Sequence, residues 1–316
     1  MQTADREVLE QVAHWLAQGR AVWLCTVVRT LGSSPRPVGS IAAINRDGRV
    51  AGSLSGGCVE EDLVERLAGG EFEGSTPQLL EYGVSAEENE RLGLPCGGRI
   101  ELLLQDLGGE DLAWVNTVLD TLRERHCVER HVDLDTGATT LEPVRHFAPL
   151  VMAGQTLRQC FGPRMRMLLV GAGQLAHSLA ELATAMDYEV LVTDPRRELL
   201  AQWVGPDVQL LDGMPDDVAR EHAADANSIV ITLTHDPRID DMALMEALVS
   251  DAWYVGALGS QRTTDKRLQR LRELELPAAA VDRLHAPVGL DIGSKTPIEI
   301  AVSIMAQITA MRRGRG

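Results

Sequence analysis

Two cysteines stand beside glycines in a way that core packing does not require, in Ser55-Gly56-Gly57-Cys58-Val59-Glu60 and in Pro95-Cys96-Gly97-Gly98. Cys58 opens an amphipathic segment that runs to about Ala68, so its thiol is expected at a helix start. Backbone N–H groups and the helix dipole there stabilise a thiolate and draw anions. The glycines leave room for a ligand to approach the backbone. Cys58 and Cys96 are therefore candidates for a soft-metal or sulfur-transfer role. Cys25 lies inside an apolar strand pattern and reads as core, whereas Cys127 and Cys160 lack a comparable setting. The five cysteines are widely spread without a Cys-x-x-Cys pair, which points to free thiols in a reducing compartment.

A second chemistry is written in Gly171-Ala172-Gly173-Gln174-Leu175-Ala176, which follows an apolar strand and opens a helix. Such glycines permit a tight turn and close approach of a diphosphate to the helix N-terminus. Asp194 ends the next strand, at the spacing expected of an acid that binds a ribose hydroxyl. Further on, Thr234-His235-Asp236-Pro237-Arg238 and Gly256-Ala257-Leu258-Gly259-Ser260 leave the ends of two more strands. His285 to Gly293, with Asp291, precedes the last helix. Ligands bind outside the carboxyl ends of strands in open α/β sheets, so Gly171, Gly173, Asp194, His235, Gly259 and Asp291 are expected around one crevice.

A third candidate is the loop Thr30 to Gly39, where Ser33, Ser34 and Arg36 could cradle an anion. A proline-stiffened turn is the competing reading. Between Arg20 and Arg49 five arginines stand against Asp47 alone, a basic island that suggests an anionic ligand or simply a solvated face.

The elements that must position these residues follow from apolar periodicity. Val8 to Gln18 has helical spacing, Ala21 to Val28 is a buried strand, and Asp47-Gly48 joins a hairpin of Ser40–Asn45 and Val50–Leu54. Arg99 to Gln105 is a strand, Asp111 to Arg125 a helix, and a weak hairpin surrounds Asp135 to Gly137. From Met165 strands and helices alternate regularly, which implies a parallel sheet with right-handed crossovers. The expectation is an α/β chain: a smaller N-terminal α+β domain over 1–149, a linker over 150–164, and a Rossmann-type doubly wound domain over 165–316. A length of 316 residues suits two domains of ordinary size.

Hydrophobic residues make up 45% and charged residues 24%, a globular balance. No apolar run reaches the ~20 residues that span a bilayer, and Met1 to Glu10 is too polar for a secretory signal. A soluble cytoplasmic protein is expected. The net charge of −16 argues against nucleic acid or an anionic membrane as partner. A homodimer is expected on general grounds.

Taken in order, these strings resemble the xanthine dehydrogenase accessory factor family (XdhC/CoxI-like). They include Gly32-Ser33-Ser34-Pro35-Arg36-Pro37-Val38-Gly39, Ser53-Leu54-Ser55-Gly56-Gly57-Cys58, Leu94-Pro95-Cys96-Gly97-Gly98, Asp194-Pro195-Arg196, His235-Asp236-Pro237-Arg238 and His285-Ala286-Pro287-Val288-Gly289-Leu290-Asp291. Gln174-Leu175 departs from the pattern and leaves nucleotide use open. The resemblance implies a molybdenum cofactor (molybdopterin) chaperone without turnover of its own. Such a protein shields the cofactor while a partner cysteine desulfurase replaces its terminal oxo ligand by sulfur, then inserts it into a molybdenum hydroxylase such as xanthine dehydrogenase. In that picture Cys58 and Cys96 contact the metal or its sulfur, Gly56, Gly57, Ser33, Ser34 and Arg36 line the anionic end, and the later crevice takes pterin or nucleotide. The alternative is an NAD(P)-dependent oxidoreductase that uses the Rossmann domain.

Overall fold

A computed structural model describes residues 3–32, 36–72, 77–85 and 98–315. The chain forms two compact units, Met1–Pro163 and Arg164–Gly316.

In the first unit, α1 (Thr3–Ala17) leads into β1 (Val22–Leu31), the centre of a five-stranded antiparallel sheet. The hairpin β2 (Ile41–Asn45) and β3 (Val50–Gly52) lies on one side of β1. On the other side are β5 (Arg99–Leu107) and the edge strand β4 (Gln78–Tyr82). Successive side chains of β1 point to opposite faces. Val22 and Leu24 pack with Leu9, Val12 and Trp15 of α1 and Val115 of α3 (Leu112–Arg123). Trp23, Cys25 and Val27 pack on the other side with Val59 and Leu63 of α2 (Cys58–Ala68). Both faces are covered, so β1 reads as a continuous apolar run rather than an alternating one.

A second antiparallel sheet has the order β7 (Thr139–Val144), β6 (Cys127–Asp133), β9 (Thr156–Phe161), β8 (Val151–Ala153). The stretch expected as a linker over 150–164 therefore carries two strands. Its pattern was obscured because β9 turns Gln159 inward between Leu157 and Phe161, breaking the apolar alternation that marks a strand. Val28 and Leu103 of the first sheet meet Val132 and Leu157 of the second.

The second unit is a six-stranded parallel sheet in the order β12 (Gln209–Leu211), β11 (Glu189–Thr193), β10 (Arg166–Val170), β13 (Ser228–Thr232), β14 (Tyr254–Ala257), β15 (Leu284–His285). In chain order this is 3-2-1-4-5-6, the doubly wound Rossmann arrangement, with its switch point between β10 and β13. One face is covered by α4 (Gln174–Ala185) and α10 (Pro297–Arg312). The other is covered by α6 (Pro215–His222), α7 (Pro237–Val249) and α8 (Gln261–Glu273). Between α4 and α6 lies the short α5 (Arg197–Ala201), and α9 (Ala278–Val281) precedes β15.

Between the two sheets of the first unit, Arg130 is fully buried. Its guanidinium lies 4.2 Å above the Trp114 ring and donates through Nη2 to Gln105 Oε1 at 2.8 Å. Nε and Nη1 have no partner among the described residues. Burial brings its pKa down to about 9, against the pull of Asp111. A buried charge so weakly compensated stabilises little. Replacing it by an apolar side chain of similar length, Arg130→Met, is expected to leave the unfolding free energy unchanged or raise it by ~1–3 kcal/mol. Urea denaturation measures this, and a loss above that range in the opposite direction would show the guanidinium to be net stabilising.

Candidate functional site

In the first unit the loop before α2 is folded around one carboxylate. Glu60 Oε1 accepts from Leu54 N at 2.6 Å, Ser53 Oγ at 2.8 Å and Ser55 N at 3.2 Å. Its Oε2 accepts from Ser55 Oγ at 2.6 Å and Gly57 N at 3.1 Å. Burial opposes the charge, but the bonds from Ser55, Leu54 and Ser53 outweigh it and bring the Glu60 carboxyl from 4.5 down to about 2. This wrapping needs left-handed backbone at Gly56 (φ +102°) and Gly57 (φ +143°). A Cβ at either glycine would meet nothing within 4 Å, so the space above the loop is open. Cys58 is exposed at the first position of α2, next in sequence to Gly57. Sequence reasoning assigned loop donors to a ligand, but Leu54, Ser55 and Gly57 give theirs to Glu60, and what remains for a ligand is the thiol and the open glycine surface.

Arg36 is half-buried, with Nη2 3.6 Å from Asp5 Oδ1. The basic island is partly neutralised: Arg20 by Asp47 within the island at 3.0 Å, and from elsewhere in the chain Arg29 by Glu101 at 2.8 Å and Arg46 by Asp106 at 2.7 Å. Ser33, Ser34 and Cys96 lie outside the described residues. The soft-metal reading of Cys58 with Cys96 therefore rests on Cys58 alone within the described chain.

In the second unit, β10 and β13 end side by side at the switch point. Gly171 (φ +114°) follows β10, and a Cβ there would lie 2.9 Å from Thr234 Cγ2, so only glycine lets the loop after β13 approach. Gly173 is the N-cap of α4, no side chain caps that helix, and the space above Gly173 is open. The first-turn N–H groups of an α-helix have no intrahelical partner, which makes this an anion-accepting surface.

Asp194 does not face a ribose position as its spacing suggested. It is fully buried and bound from within: Oδ2 accepts from Ala172 N at 3.0 Å and Arg196 Nη2 at 2.8 Å, and Oδ1 accepts from Arg196 N at 3.0 Å and Nε at 2.8 Å. Burial works against ionisation, but the Arg196 and Ala172 bonds prevail and hold the carboxyl below its usual range. The charged group at the crevice is instead Arg196, whose side chain remains 43% exposed. Its place in Asp194-Pro195-Arg196, three residues past the end of β11, was the signal that could have found it.

Beneath the loop after β13 lies a buried ion pair. Asp240 Oδ1 accepts from Thr234 Oγ1 at 2.7 Å, and its Oδ2 accepts from Arg267 Nη2 at 2.8 Å. Arg267 Nη1 reaches Leu258 O at 3.1 Å, which ties the loop after β14 to the loop after β13. Burial pushes the Asp240 carboxyl up to about 6, against the pull of Thr234 and Arg267. His235 is exposed on the loop above. Gly259 lies against Thr263, 3.3 Å from a built Cβ, and Asp291 is exposed in the loop after β15. That last loop is pinned by Gln307, whose Oε1 accepts from Tyr254 Oη at 2.7 Å and Gly289 N at 2.8 Å. Gly171, Gly173, Asp194, His235 and Gly259 thus follow the carboxyl ends of β10, β11, β13 and β14, and Asp291 lies in the loop after β15, two strands beyond β13.

The XdhC Rossmann domain model matches residues 167–308, and the XdhC and CoxI family model matches residues 15–83. The chain belongs to the XdhC/CoxI family. The two matches together take in more than half of it, including the Cys58 loop and the whole crevice edge from Gly171 to Asp291. Among XdhC/CoxI-like relatives, the molybdenum cofactor insertion chaperone PaoD of Escherichia coli (strain K12) is 27% identical over 311 residues, covering 97% of this chain and 88% of that protein. A protein of Bacillus subtilis (strain 168) named as a probable subunit of xanthine dehydrogenase is 29% identical over 316 residues, covering 92% and 93%. The crystal structure of a protein described as a xanthine dehydrogenase from Bacillus halodurans superposes with a TM-score of 0.73 at 26% identity, covering 99% of this chain and 97% of that one. This XdhC/CoxI chain has, among its described residues, no helix long and apolar enough to cross a membrane.

Two outcomes follow for the loops of this family member. Glu60 gains its stabilisation above the unfolded pKa near 4.5 and loses it as pH falls toward about 2. Glu60→Gln is expected to lose on the order of 3 kcal/mol at neutral pH, and its deficit against the parent should close as pH falls through that window in urea titrations. Arg267→Ala strands Asp240 in the interior and is expected to cost ~3–5 kcal/mol. A loss under ~1 kcal/mol in chemical denaturation would mean that the pair does not hold the two loops.

Proposed function

We propose that this chain carries the molybdenum cofactor as cargo and delivers it to a molybdenum hydroxylase of the xanthine dehydrogenase type. The observation that carries this reading is the uncapped start of α4 at Gly173, with open space above it and the Arg196 guanidinium joined to the adjoining Ala172 N–H through one oxygen of Asp194. Oriented N–H groups and a planar cation suit the phosphate ester of such a cofactor. Gly173, Arg196 and the adjoining loop with His235 are the residues that would hold the anionic end. In the first unit, taken by itself, Cys58 is exposed beside the open surface of Gly56 and Gly57, and its sulfur is a candidate ligand for a soft centre such as molybdenum or its sulfur. Cys96 is retained as its proposed companion. Bound cargo supplies the redox chemistry to the client enzyme, and this chain's residues bind, shield and release it. A cysteine desulfurase is the proposed sulfur donor. The names of PaoD and of the Bacillus subtilis relative support the same cargo and client.

The nicotinamide alternative is less well supported, because Asp194 has both oxygens engaged within the protein and offers no acceptor to a ribose diol. The test is the molybdenum and pterin content of protein purified without oxygen from a host that makes the cofactor. Metal is read by mass spectrometry and pterin by fluorescence after oxidation. Contents approaching one per chain, reduced several-fold in Arg196→Ala and in Cys58→Ala, are expected. Protein that acquires neither, even after exposure to excess cofactor, would refute the carrier reading. If the same protein were also stabilised by NAD(P)H by ~2–4 kcal/mol at saturation, the oxidoreductase would take its place.

A further inference from the structure

The last helix is apolar on two sides, and only one side is used within the unit. Ala301, Ser303, Ile304, Met305 and Ile308 of α10 are buried against the core beside α4. At ~100° per residue, Ile298, Val302, Ala306, Thr309 and Ala310 fall on the outer face, within about a third of the circumference. Ile298 and Val302 are each 45% exposed. With Leu182 and Met186 at the end of α4, this face borders an open groove of about 710 Å³. A helix hydrophobic all round is ordinarily a buried helix.

We infer that this face is a two-fold interface between copies of this chain, with α10 packed antiparallel on its counterpart about an axis through Ala306. The charge pattern argues for self-association. Glu299 stands in the first turn of α10, and Arg313 immediately follows its last turn. A two-fold axis at Ala306 sets each residue against the one equally far on the other side, so Val302 meets Ala310 and Glu299 meets Arg313, twice per dimer. Such an interface must be self-complementary, and acid and base are placed symmetrically about one small residue. Alanines at the centre allow the close approach of helix packing, at 8–10 Å between axes. Antiparallel dipoles also align favourably. A small-molecule site would need convergent polar groups to orient its ligand, but Thr309 Oγ1 donates back to Met305 O at 2.7 Å, and the other polar groups of the groove, Arg313 and Arg315, both stand at its C-terminal end.

The interface is independent of the cargo proposed above, and its test needs no cofactor. Sedimentation velocity of the full chain across a dilution series is expected to give a dimer of the 34.3 kDa chain. Ala306→Arg, which places bulk and like charge on the axis, is expected to give a monomer with unchanged circular dichroism and melting. Arg313→Glu alone should weaken dimerisation about tenfold, and combining it with Glu299→Arg should restore most of the loss. Arg313 follows the helix and is exposed, whereas Glu299 Oε2 also accepts from Lys295 N and Thr296 N in the capping box of α10, so Glu299→Arg alone, followed by circular dichroism and melting, is the control that separates loss of the cap from loss of the contact. A parent chain that stays monomeric at every concentration overturns the inference, including one that captures another protein through this face. So does a dimer untouched by Ala306→Arg, or a charge exchange that fails to restore association.

Discussion

Sharp, glycine-rich turns leave backbone N–H groups pointing inward, and such donors must be satisfied once they leave water. In this chain they are satisfied by its own carboxylates. Glu60 gathers five donors from the 53–57 loop, and Asp194 clamps the turn at Ala172 to Arg196. Asp240 holds Thr234 against Arg267. Each loop keeps its shape because an internal anion occupies its concave side. The donors left over are the first-turn N–H groups of α4 and the part of the Arg196 guanidinium that Asp194 does not engage.

That division decides what the crevice can recognise. In a dinucleotide-binding Rossmann domain the acid after the second strand faces the ribose. Here the same acid is turned inward and paired with Arg196, whose partly exposed guanidinium stands at the rim. Its charge is offset by Asp194 and Asp236, so what it offers an anionic group is the hydrogen-bonding capacity of the guanidinium that remains. The overall charge of −16 pulls the other way for large anionic polymers. Small anionic cargo and a protein client are compatible with both the local and the global field.

The arginines of the first unit make the same point from the opposite direction. Crowded in sequence, four of the five, Arg20, Arg29, Arg36 and Arg46, are each drawn to a carboxylate distant in the chain. Surface pairs of this kind contribute little stability individually. Their effect is to leave few uncompensated cations on that unit.

The sequence by itself determined the kinds of element and their order. Apolar periodicity marked α1, β1, the β2–β3 hairpin, α2 and the β–α alternation from Met165, and the glycine strings marked where chain turns come close. These features depend on neighbours within a few residues, so they are legible in one dimension. The tertiary structure alone decided which carboxylate answers which donor, since Arg46 and Asp106 are 60 positions apart and Arg267 and Asp240 are 27. It also decided that 151–161 is sheet, because β9 buries a glutamine whose Nε2 donates to Gly39 O, 120 residues earlier. Long-range hydrogen bonds and ion pairs leave no local pattern in the residues that make them, and so the partners of Arg46, Arg267 and Gln159 appear only once the chain has folded.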